Sequence, residues 1–134
     1  MAMTSTTLAW FRRDLRLDDN PAWAAATARD KAVALVVLEP ALLAAAGPWR
    51  RRAYLRAVAG LDRSLRSRGG SLRVETGDPA EVVPWLAVEI GAEVVVVNAD
   101  VTRWSAERDR RVAQRLGRPI EQHWGTLVHP PGSV

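Results

Sequence analysis

Three short apolar runs, rich in β-branched residues, constrain the fold of this chain more than any other feature. They cover residues 7–11, 32–38 and 94–97. None of them alternates between apolar and polar positions, as a strand with one face in water would, so each is typical of a strand buried on both faces of a parallel sheet. Residues 71–75 and 119–124 are weaker candidates that bring the predicted sheet to five strands.

Helical spacing replaces the strand pattern between these runs. Asn20 can cap a helix that has Pro21 at its first position and extends to about residue 29. A proline is favourable there because the N–H that it lacks would have no helical partner. Asp78 can cap another helix, in which Pro84 removes one internal hydrogen bond and is predicted to bend the first turns.

Two further helices are predicted over residues 48–68 and 102–116, where apolar residues recur at steps of three and four. The residues predicted to face the core are Leu55, Val58, Leu61 and Leu65 in the first of these, Val82, Val83, Leu86 and Ile90 in the helix after Asp78, and Trp104, Val112 and Leu116 in the last. Strands and helices alternate strictly, which implies right-handed crossovers between parallel strands. The predicted fold is one α/β domain over residues 1–134, a doubly wound five-stranded parallel sheet with helices on both faces.

Composition narrows the chemistry and the cellular setting. The chain has no cysteine, which excludes disulfides, thiolate metal sites and cysteine nucleophiles. The first residues lack the basic and apolar regions of a signal peptide, and no apolar run reaches the roughly 20 residues that span a bilayer. We therefore expect a cytoplasmic protein with no membrane partner.

Charge leaves two interpretations open. The formal net charge is +4, and all but one of the 19 basic residues are arginines. Guanidinium groups pair well with phosphate oxygens, so contact with a nucleic acid is one interpretation. The other interpretation is a solvated, arginine-rich surface that reflects genome composition. For the chain on its own, we favour this second interpretation over contact with a nucleic acid.

Ligands of doubly wound sheets bind beyond the carboxyl ends of the strands. The segments in question here are residues 12–19, 39–40, 75–78 and 98–103. They contain neither the glycine fingerprint of dinucleotide-binding domains nor a Walker motif. His123 and His129 belong to no metal-ligand spacing and to no recognisable catalytic triad, so both are interpreted as ordinary loop or strand-end residues.

Acidic and basic residues alternate in the loop after the first strand. They are Asp14, Asp18 and Asp19 with Arg12, Arg13 and Arg16. This mixture favours an ion-pair network that closes the loop over a carboxylate cluster for metal binding or acid–base chemistry. A phosphoacceptor receiver domain also has acids after its first strand, but it needs a lysine that closes the fifth strand, and the fifth candidate strand here has none.

The same loop and its flanks carry a family resemblance. The run Trp10-Phe11-Arg12-Arg13-Asp14-Leu15-Arg16-Leu17, followed by Asp18-Asp19-Asn20-Pro21-Ala22, resembles the opening signature of the DNA photolyase/cryptochrome family. Further matches are Leu38-Glu39-Pro40, Arg51-Arg52-Ala53-Tyr54-Leu55, Gly77-Asp78-Pro79, Asn98-Ala99-Asp100 and Pro130-Pro131-Gly132. Because these matches extend over the whole chain, the chain resembles the N-terminal α/β domain of that family.

The resemblance implies a Rossmann-like domain of a protein that uses light to split pyrimidine dimers in DNA, or that acts as a photoreceptor. In the family, FAD is held by a separate C-terminal helical domain, which also carries the main DNA-binding groove. The resemblance covers only the N-terminal domain, so we expect the helical domain to be absent from this chain. It is the expected partner, in cis or as a separate chain, and DNA is expected to be reached only through the full-length protein.

The family also implies an antenna chromophore in this domain, which passes excitation energy to FAD. Folate-binding members have an Asn-Glu pair where this sequence has Trp104-Ser105, so a folate is disfavoured and a deazaflavin or FMN is expected, if any. The residues expected near that chromophore are Arg12, Leu38, Glu39, Asp100 and Arg103. Asp100 would be a polar anchor, and Trp104 would either line the pocket or plug it, so an antenna and its absence are both open.

Two other functions remain open at this point. The fold could serve as a stand-alone module that binds a flavin or a nucleotide, or that docks on another protein through an apolar surface near Trp104, Trp124 and Pro130-Pro131. A cryptochrome-like photoreceptor domain is not distinguishable from a repair-enzyme domain by these residues.

Overall fold

The computed structural model describes residues 5–100 and 102–124. One sheet of five strands runs through it, with every neighbouring pair parallel. The strands are β1 (Thr6–Phe11), β2 (Lys31–Leu38), β3 (Leu72–Thr76), β4 (Val94–Asn98) and β5 (Ile120–His123). Their order across the sheet is β3-β2-β1-β4-β5, so the predicted doubly wound parallel α/β fold is confirmed.

Five helices connect the strands in the described part of the chain. They are α1 (Pro21–Thr27), α2 (Pro40–Ala45), α3 (Pro48–Ser67), α4 (Pro79–Glu89) and α5 (Arg103–Leu116). The sequence analysis predicted all of these except α2. That helix has six residues, none of them buried, so it has no apolar stripe from which a helical period could be recognised.

The side chains of the strands alternate between two cores, one on each face of the sheet. Leu8, Leu35 and Val95 lie in the core under α4 and α5. Ala34 and Val96 lie in the opposite core, under α1 and α3. Burial on both faces explains why these strands lack polar alternation in the sequence.

The predicted helix starts are formed by side-chain caps. Asn20 Oδ1 accepts a hydrogen bond from the N–H of Trp23 at 3.0 Å, and Asp78 Oδ1 accepts one from the N–H of Ala80 at 3.0 Å. Pro84 lies inside α4, which continues from Pro79 to Glu89 as one helix. Each cap satisfies an N–H group that the first turn of a helix leaves free.

One predicted core residue of α3 is exposed. Leu55 is 41% exposed, whereas Tyr54 packs against the core of α1 and α3. The buried line of this helix runs through Tyr54, Val58, Leu61 and Leu65, at steps of four, three and four. Leu55 lies about 100° further around the helix, which turns it away from the sheet.

The topology places two strand ends side by side where a ligand is expected. The chain passes from β1 to β2 on one side and returns through α4 to β4 on the other side of β1. The carboxyl ends of β1 and β4 therefore meet at the point where the strand order reverses, which is the usual ligand-binding crevice of such sheets.

Within the described ranges, no helix combines the length and the apolar character needed to cross a bilayer.

Truncation of α4 tests how much its buried stripe contributes. Leu86 is fully buried, whereas Val88, two residues further on, is 64% exposed. We expect Leu86→Ala to lower the free energy of unfolding by about 2–5 kcal/mol, because it leaves a cavity in the core. Val88→Ala is the matched control and should change it by less than about 0.5 kcal/mol. Urea denaturation followed by circular dichroism measures both, and equal effects would contradict the assigned helix face.

Candidate functional site

Two cavities open at the carboxyl edge of the sheet and share one wall. The large cavity has a volume of about 460 Å³ and the small cavity about 210 Å³. Their common wall is the end of β1 and the residues after it, from Trp10 to Arg13. The large cavity lies towards β2, and the small cavity lies between the ends of β1 and β4, at the reversal of strand order.

Five elements of the fold line the large cavity. Its lining comes from the ends of β1 and β2 (Trp10, Val37), from α2 (Leu42, Leu43), from the first turns of α3 (Arg50, Arg51, Tyr54) and from the start of α5 (Trp104, Arg108). Helix α2, which the sequence analysis did not predict, thus forms one wall of this cavity. A volume of this size lies within the range of about 300–1,000 Å³ typical of small-molecule sites.

Arg108 is the most unusual residue of this cavity. It is only 5% exposed, and its guanidinium carbon lies 5.2 Å from the ring centre of Trp10 and 4.8 Å from that of Trp104. Its Nε donates to Asp109 at 3.3 Å, and its Nη1 lies 3.9 Å from a carboxylate oxygen of Glu39. Its Nη2 is buried without a hydrogen-bond partner in the described structure, and a buried donor of this kind is costly unless an acceptor reaches it.

The charge around Arg108 is strongly positive. Five of the cavity's described lining residues are arginines, and one, Glu39, is an acid. Burial raises the pKa of Glu39, with a further increase from Asp78, although the nearby Arg108 opposes both. Burial also lowers the pKa of Arg108, as does the neighbouring Arg12. This lining therefore favours a ligand that brings hydrogen-bond acceptors and negative charge.

Arg12 holds the wall between the two cavities in place. Its Nη1 pairs with Asp109 at 2.5 Å, and both side chains are at most one-tenth exposed. Its Nη2 donates to the backbone carbonyl of Asn98 at 2.5 Å, and its guanidinium carbon lies 4.9 Å from the ring centre of Trp10. A single side chain thus joins the ends of β1 and β4 to helix α5.

The small cavity is bounded by polar groups that are already paired. Asn98 Nδ2 donates to Asn20 Oδ1 at 2.7 Å, and Asn98 Oδ1 accepts from the N–H of Ala22 at 3.0 Å. These bonds fasten the start of α1 to the end of β4. They leave little unsatisfied polarity on that side for a ligand to use.

Asp100, which also lines the small cavity, is engaged at the start of α5. Its carboxylate accepts from the N–H of Thr102 at 3.1 Å and from Ser105 Oγ at 2.9 Å, and it lies 3.4 Å from Arg13. Burial acts to raise the pKa of Asp100, but these hydrogen bonds and the two nearby arginines outweigh it and lower the pKa. The carboxylate therefore positions the start of α5 at the edge of the small cavity.

The structure brings together only some of the predicted site residues. Arg12, Glu39 and Trp104 line the large cavity, and Asp100 lines the small one. Leu38 packs on the opposite face of the sheet, in the core of α1 and α3. Arg103 is exposed and is not among the described residues that line either cavity.

Two other expectations need correction. Trp104 was predicted to be buried but is 48% exposed, because its ring faces Arg108 and the large cavity. The predicted ion-pair network within the first loop is limited to Arg16 and Asp14, at 3.8 Å, since Arg12 and Arg13 reach out of the loop to helix α5 and Asp100. The match at Pro130-Pro131-Gly132 and the apolar surface expected near it lie outside the described residues.

Sequence reasoning missed Arg108, although a signal was present. The core stripe predicted for α5 runs through Trp104, Val112 and Leu116, and position 108 lies on the same stripe, four residues from each of the first two. A charged residue on an apolar stripe is either paired in the core or directed at a cavity. Arg108 is both, since it contacts Asp109 and lines the large cavity.

Comparisons with known proteins agree on one family. The model of the DNA photolyase family matches residues 7–134. Curated relatives include a cryptochrome DASH of Gloeobacter violaceus, 39% identical over 95% of this chain and 28% of its own length. A deoxyribodipyrimidine photo-lyase of Thermus thermophilus is 41% identical over 92% of this chain and 29% of its own length.

Solved structures give the same result. A Synechocystis cryptochrome superimposes with a TM-score of 0.86 at 31% identity, covering 97% of this chain and 30% of that one. A class III photolyase of Agrobacterium tumefaciens gives 0.84 at 30% identity, over all of this chain and 28% of that one. The chain thus spans less than a third of the length of these relatives.

Removal of the carboxylate that Arg12 and Arg108 share tests how far the fold depends on it. We expect Asp109→Asn to lower the free energy of unfolding by about 3–5 kcal/mol, because it leaves buried guanidinium groups without their counter-charge. Asp14→Asn is the control, since that carboxylate forms an exposed pair with Arg16 worth at most about 1 kcal/mol. Chemical denaturation gives both values, and a small loss in Asp109→Asn would refute the role of this pair.

The raised pKa of Glu39 predicts a pH dependence. Over the interval between its ordinary value of 4.5 and the higher folded-state value, the folded chain keeps a proton that the unfolded chain has released. The free energy of unfolding should therefore fall as pH rises through that interval. Glu39→Gln should remove this contribution to the fall of the free energy of unfolding with rising pH. Urea midpoints of both chains across the acid range check it, and parallel profiles would contradict the assignment.

Proposed function

Because the chain belongs to the DNA photolyase family, we propose that it is the N-terminal domain of a light-dependent deoxyribodipyrimidine photolyase. We further propose that its large cavity holds an antenna chromophore of the flavin type. The observation that carries this proposal is Arg108, a buried guanidinium with one unpartnered donor in the wall of that cavity. A flavin or deazaflavin ring presents carbonyl oxygens that can accept from such a donor.

The chemistry of the cavity fits this class of ligand in two further ways. Trp104 offers an aromatic face, half exposed, next to Arg108, and flat aromatic rings pack well against such a surface. Arg50 and Arg51, from the first turns of α3, add positive charge to the same lining, which suits the phosphate of FMN. Arg12 and Glu39 complete the polar wall. A deazaflavin with an acidic side chain would use the same groups.

One structural relative that contains two flavins supports the antenna proposal. A photolyase of Sulfolobus tokodaii, with a TM-score of 0.80 and 26% identity over 93% of this chain and 30% of that one, is described as containing two FAD molecules, with the implication of a novel light-harvesting cofactor. For the present chain we propose the same role, absorption of light and transfer of excitation energy, for a ligand in the large cavity.

The proposal divides the work of repair between two parts. This chain supplies the antenna site and a rigid support, while the FAD that donates an electron to the dimer is held by a helical domain, in cis or on a separate chain. DNA damage is then recognised at that helical domain. The lengths agree with this division, because the chain covers 28–30% of the length of the five relatives named here.

Titration with FMN and with a deazaflavin tests the antenna site. We expect saturable binding, seen as quenching of ligand fluorescence, and a loss of affinity of roughly 10- to 100-fold in Arg108→Met, because a hydrogen bond from a charged donor is removed. Arg110→Met is the matched control on the same helix, since Arg110 is exposed and pairs with Glu107. Thermal unfolding of each variant shows whether a loss reflects the site or the fold.

Two results would overturn the antenna proposal. One is the absence of saturable binding by the folded chain for both ligands. The other is equal binding by Arg108→Met and by the unchanged protein, because the unpartnered donor would then have no role in recognition.

The repair function is tested by the action spectrum of dimer splitting. With the chain joined to a helical FAD-binding domain, light-dependent repair of a thymine-dimer oligonucleotide is expected. Excitation in the absorption band of the bound chromophore should add to this repair. Arg108→Met should abolish that added part and leave repair by direct excitation of FAD unchanged. Binding of the chromophore without any dimer splitting would favour a photoreceptor over a repair enzyme.

A further inference from the structure

Helix α3 carries the positive excess of the whole chain. It contains six of the 19 basic residues and one of the 15 acidic residues, so the remainder of the chain is close to neutral. The single acid, Asp62, is engaged within the fold. Its carboxylate accepts from the N–H of Leu72 at 2.9 Å and from Arg66 Nε at 2.9 Å, and these bonds lower its pKa.

The arginines of α3 differ in this respect from those of α5. Of the five arginines of α5, Arg108, Arg110, Arg111 and Arg115 each lie within 4.0 Å of a carboxylate oxygen, and Arg103 alone has no ion pair in the described structure. On α3, the described structure contains an ion pair for Arg66 alone. An arginine-rich composition would produce both helices alike, so the unpaired charge of α3 calls for another explanation.

Three of these arginines form a line on the outer face of the helix. We call Arg52, Arg56 and Arg63 the arginine stripe. All three are exposed and lie on the side opposite the buried Val58 and Leu61, over a length of about 16 Å at 1.5 Å per residue. The first two are four residues apart, where like charges repel each other in the absence of a counter-ion.

An exposed aromatic ring stands at one end of the stripe. Trp49 is 81% exposed, and the guanidinium carbon of Arg52 lies 5.9 Å from its ring centre. Small residues adjoin the stripe, among them the exposed Ala53 and Ala59. Positive charge along a line with an aromatic ring beside it is typical of surfaces that bind single-stranded nucleic acid.

We propose that the arginine stripe and Trp49 bind single-stranded DNA, with the guanidinium groups on successive phosphates and an unpaired base on the indole ring. A duplex is a poorer partner, because its bases are already stacked and cannot use Trp49. An anionic membrane is also a poorer partner, since the apolar face of α3 is turned into the core and interfacial helices need that face free.

This surface is separate from the large cavity. The stripe and Trp49 are not among the described residues that line the cavity, although Arg50 and Arg51 of the same helix are. Helices α4 and α5 lie on the opposite face of the sheet from α3. Binding of DNA by the stripe and binding of a flavin by the cavity can therefore fail independently.

Fluorescence anisotropy with a labelled oligothymidylate across a salt series tests the proposal on the chain itself. The triple variant Arg52→Gln, Arg56→Gln, Arg63→Gln should reduce the slope of log Kd against log salt by about 2, because three phosphate contacts are lost at about 0.7 each. Trp49→Ala should weaken binding by about fivefold or more. Quenching of tryptophan fluorescence on binding should also decrease in Trp49→Ala.

The control removes the same charge from the other side of the molecule. The triple variant Arg110→Gln, Arg111→Gln, Arg115→Gln should leave the salt slope almost unchanged. Equal losses in the two triple variants would show that net charge alone drives binding and would overturn the proposal. So would the absence of saturable binding at low salt, or a duplex bound more tightly than the single strand with no effect of Trp49→Ala. Circular dichroism confirms that each variant is folded.

Discussion

The buried pair between Arg12 and Asp109 is the interaction on which the functional end of this molecule depends. Arg12 follows β1 directly, and from that position it contacts Asp109 on α5 and the backbone carbonyl of Asn98 at the end of β4. A charge removed from water is tolerated only with such compensation. The pair therefore fixes the distance between the central strands and α5, and with it the shape of the wall that both cavities share.

Burial of the sheet on both faces determines where the chemistry can lie. Helices pack over each core, so the cavities open at the carboxyl ends of the strands. There Arg108 lines the large cavity, and its Nη2 has no hydrogen-bond partner in the described structure. The same logic separates the two surfaces of α3. Its first turns direct Arg50 and Arg51 to the cavity, while Arg52, Arg56 and Arg63 face solvent. One helix can thus serve a chromophore at its start and a polyanion along its outer face.

The sequence was sufficient for the sheet, for four of the five described helices and for the edge at which ligands are expected, because burial, capping residues and strict alternation are local signals. It was insufficient where tertiary distances decide. Helix α2 has no buried residue, so it has no period to detect. The hydrogen bonds that the Asp100 carboxylate accepts from Thr102 and Ser105 were not predicted, and the unpaired donor of Arg108 depends on side chains from three different elements.

The central claim, that the large cavity receives a flavin, is tested most directly by the indole N–H signals in nuclear magnetic resonance spectra. Trp104 lines only the large cavity, Trp23 and Trp124 line only the small one, and Trp85 contacts neither among the described linings. On addition of FMN, we expect the signal of Trp104 to shift and that of Trp85 to stay in place. Shifts confined to Trp23 and Trp124 would contradict the account, because they would place the ligand in the small cavity, away from Arg108.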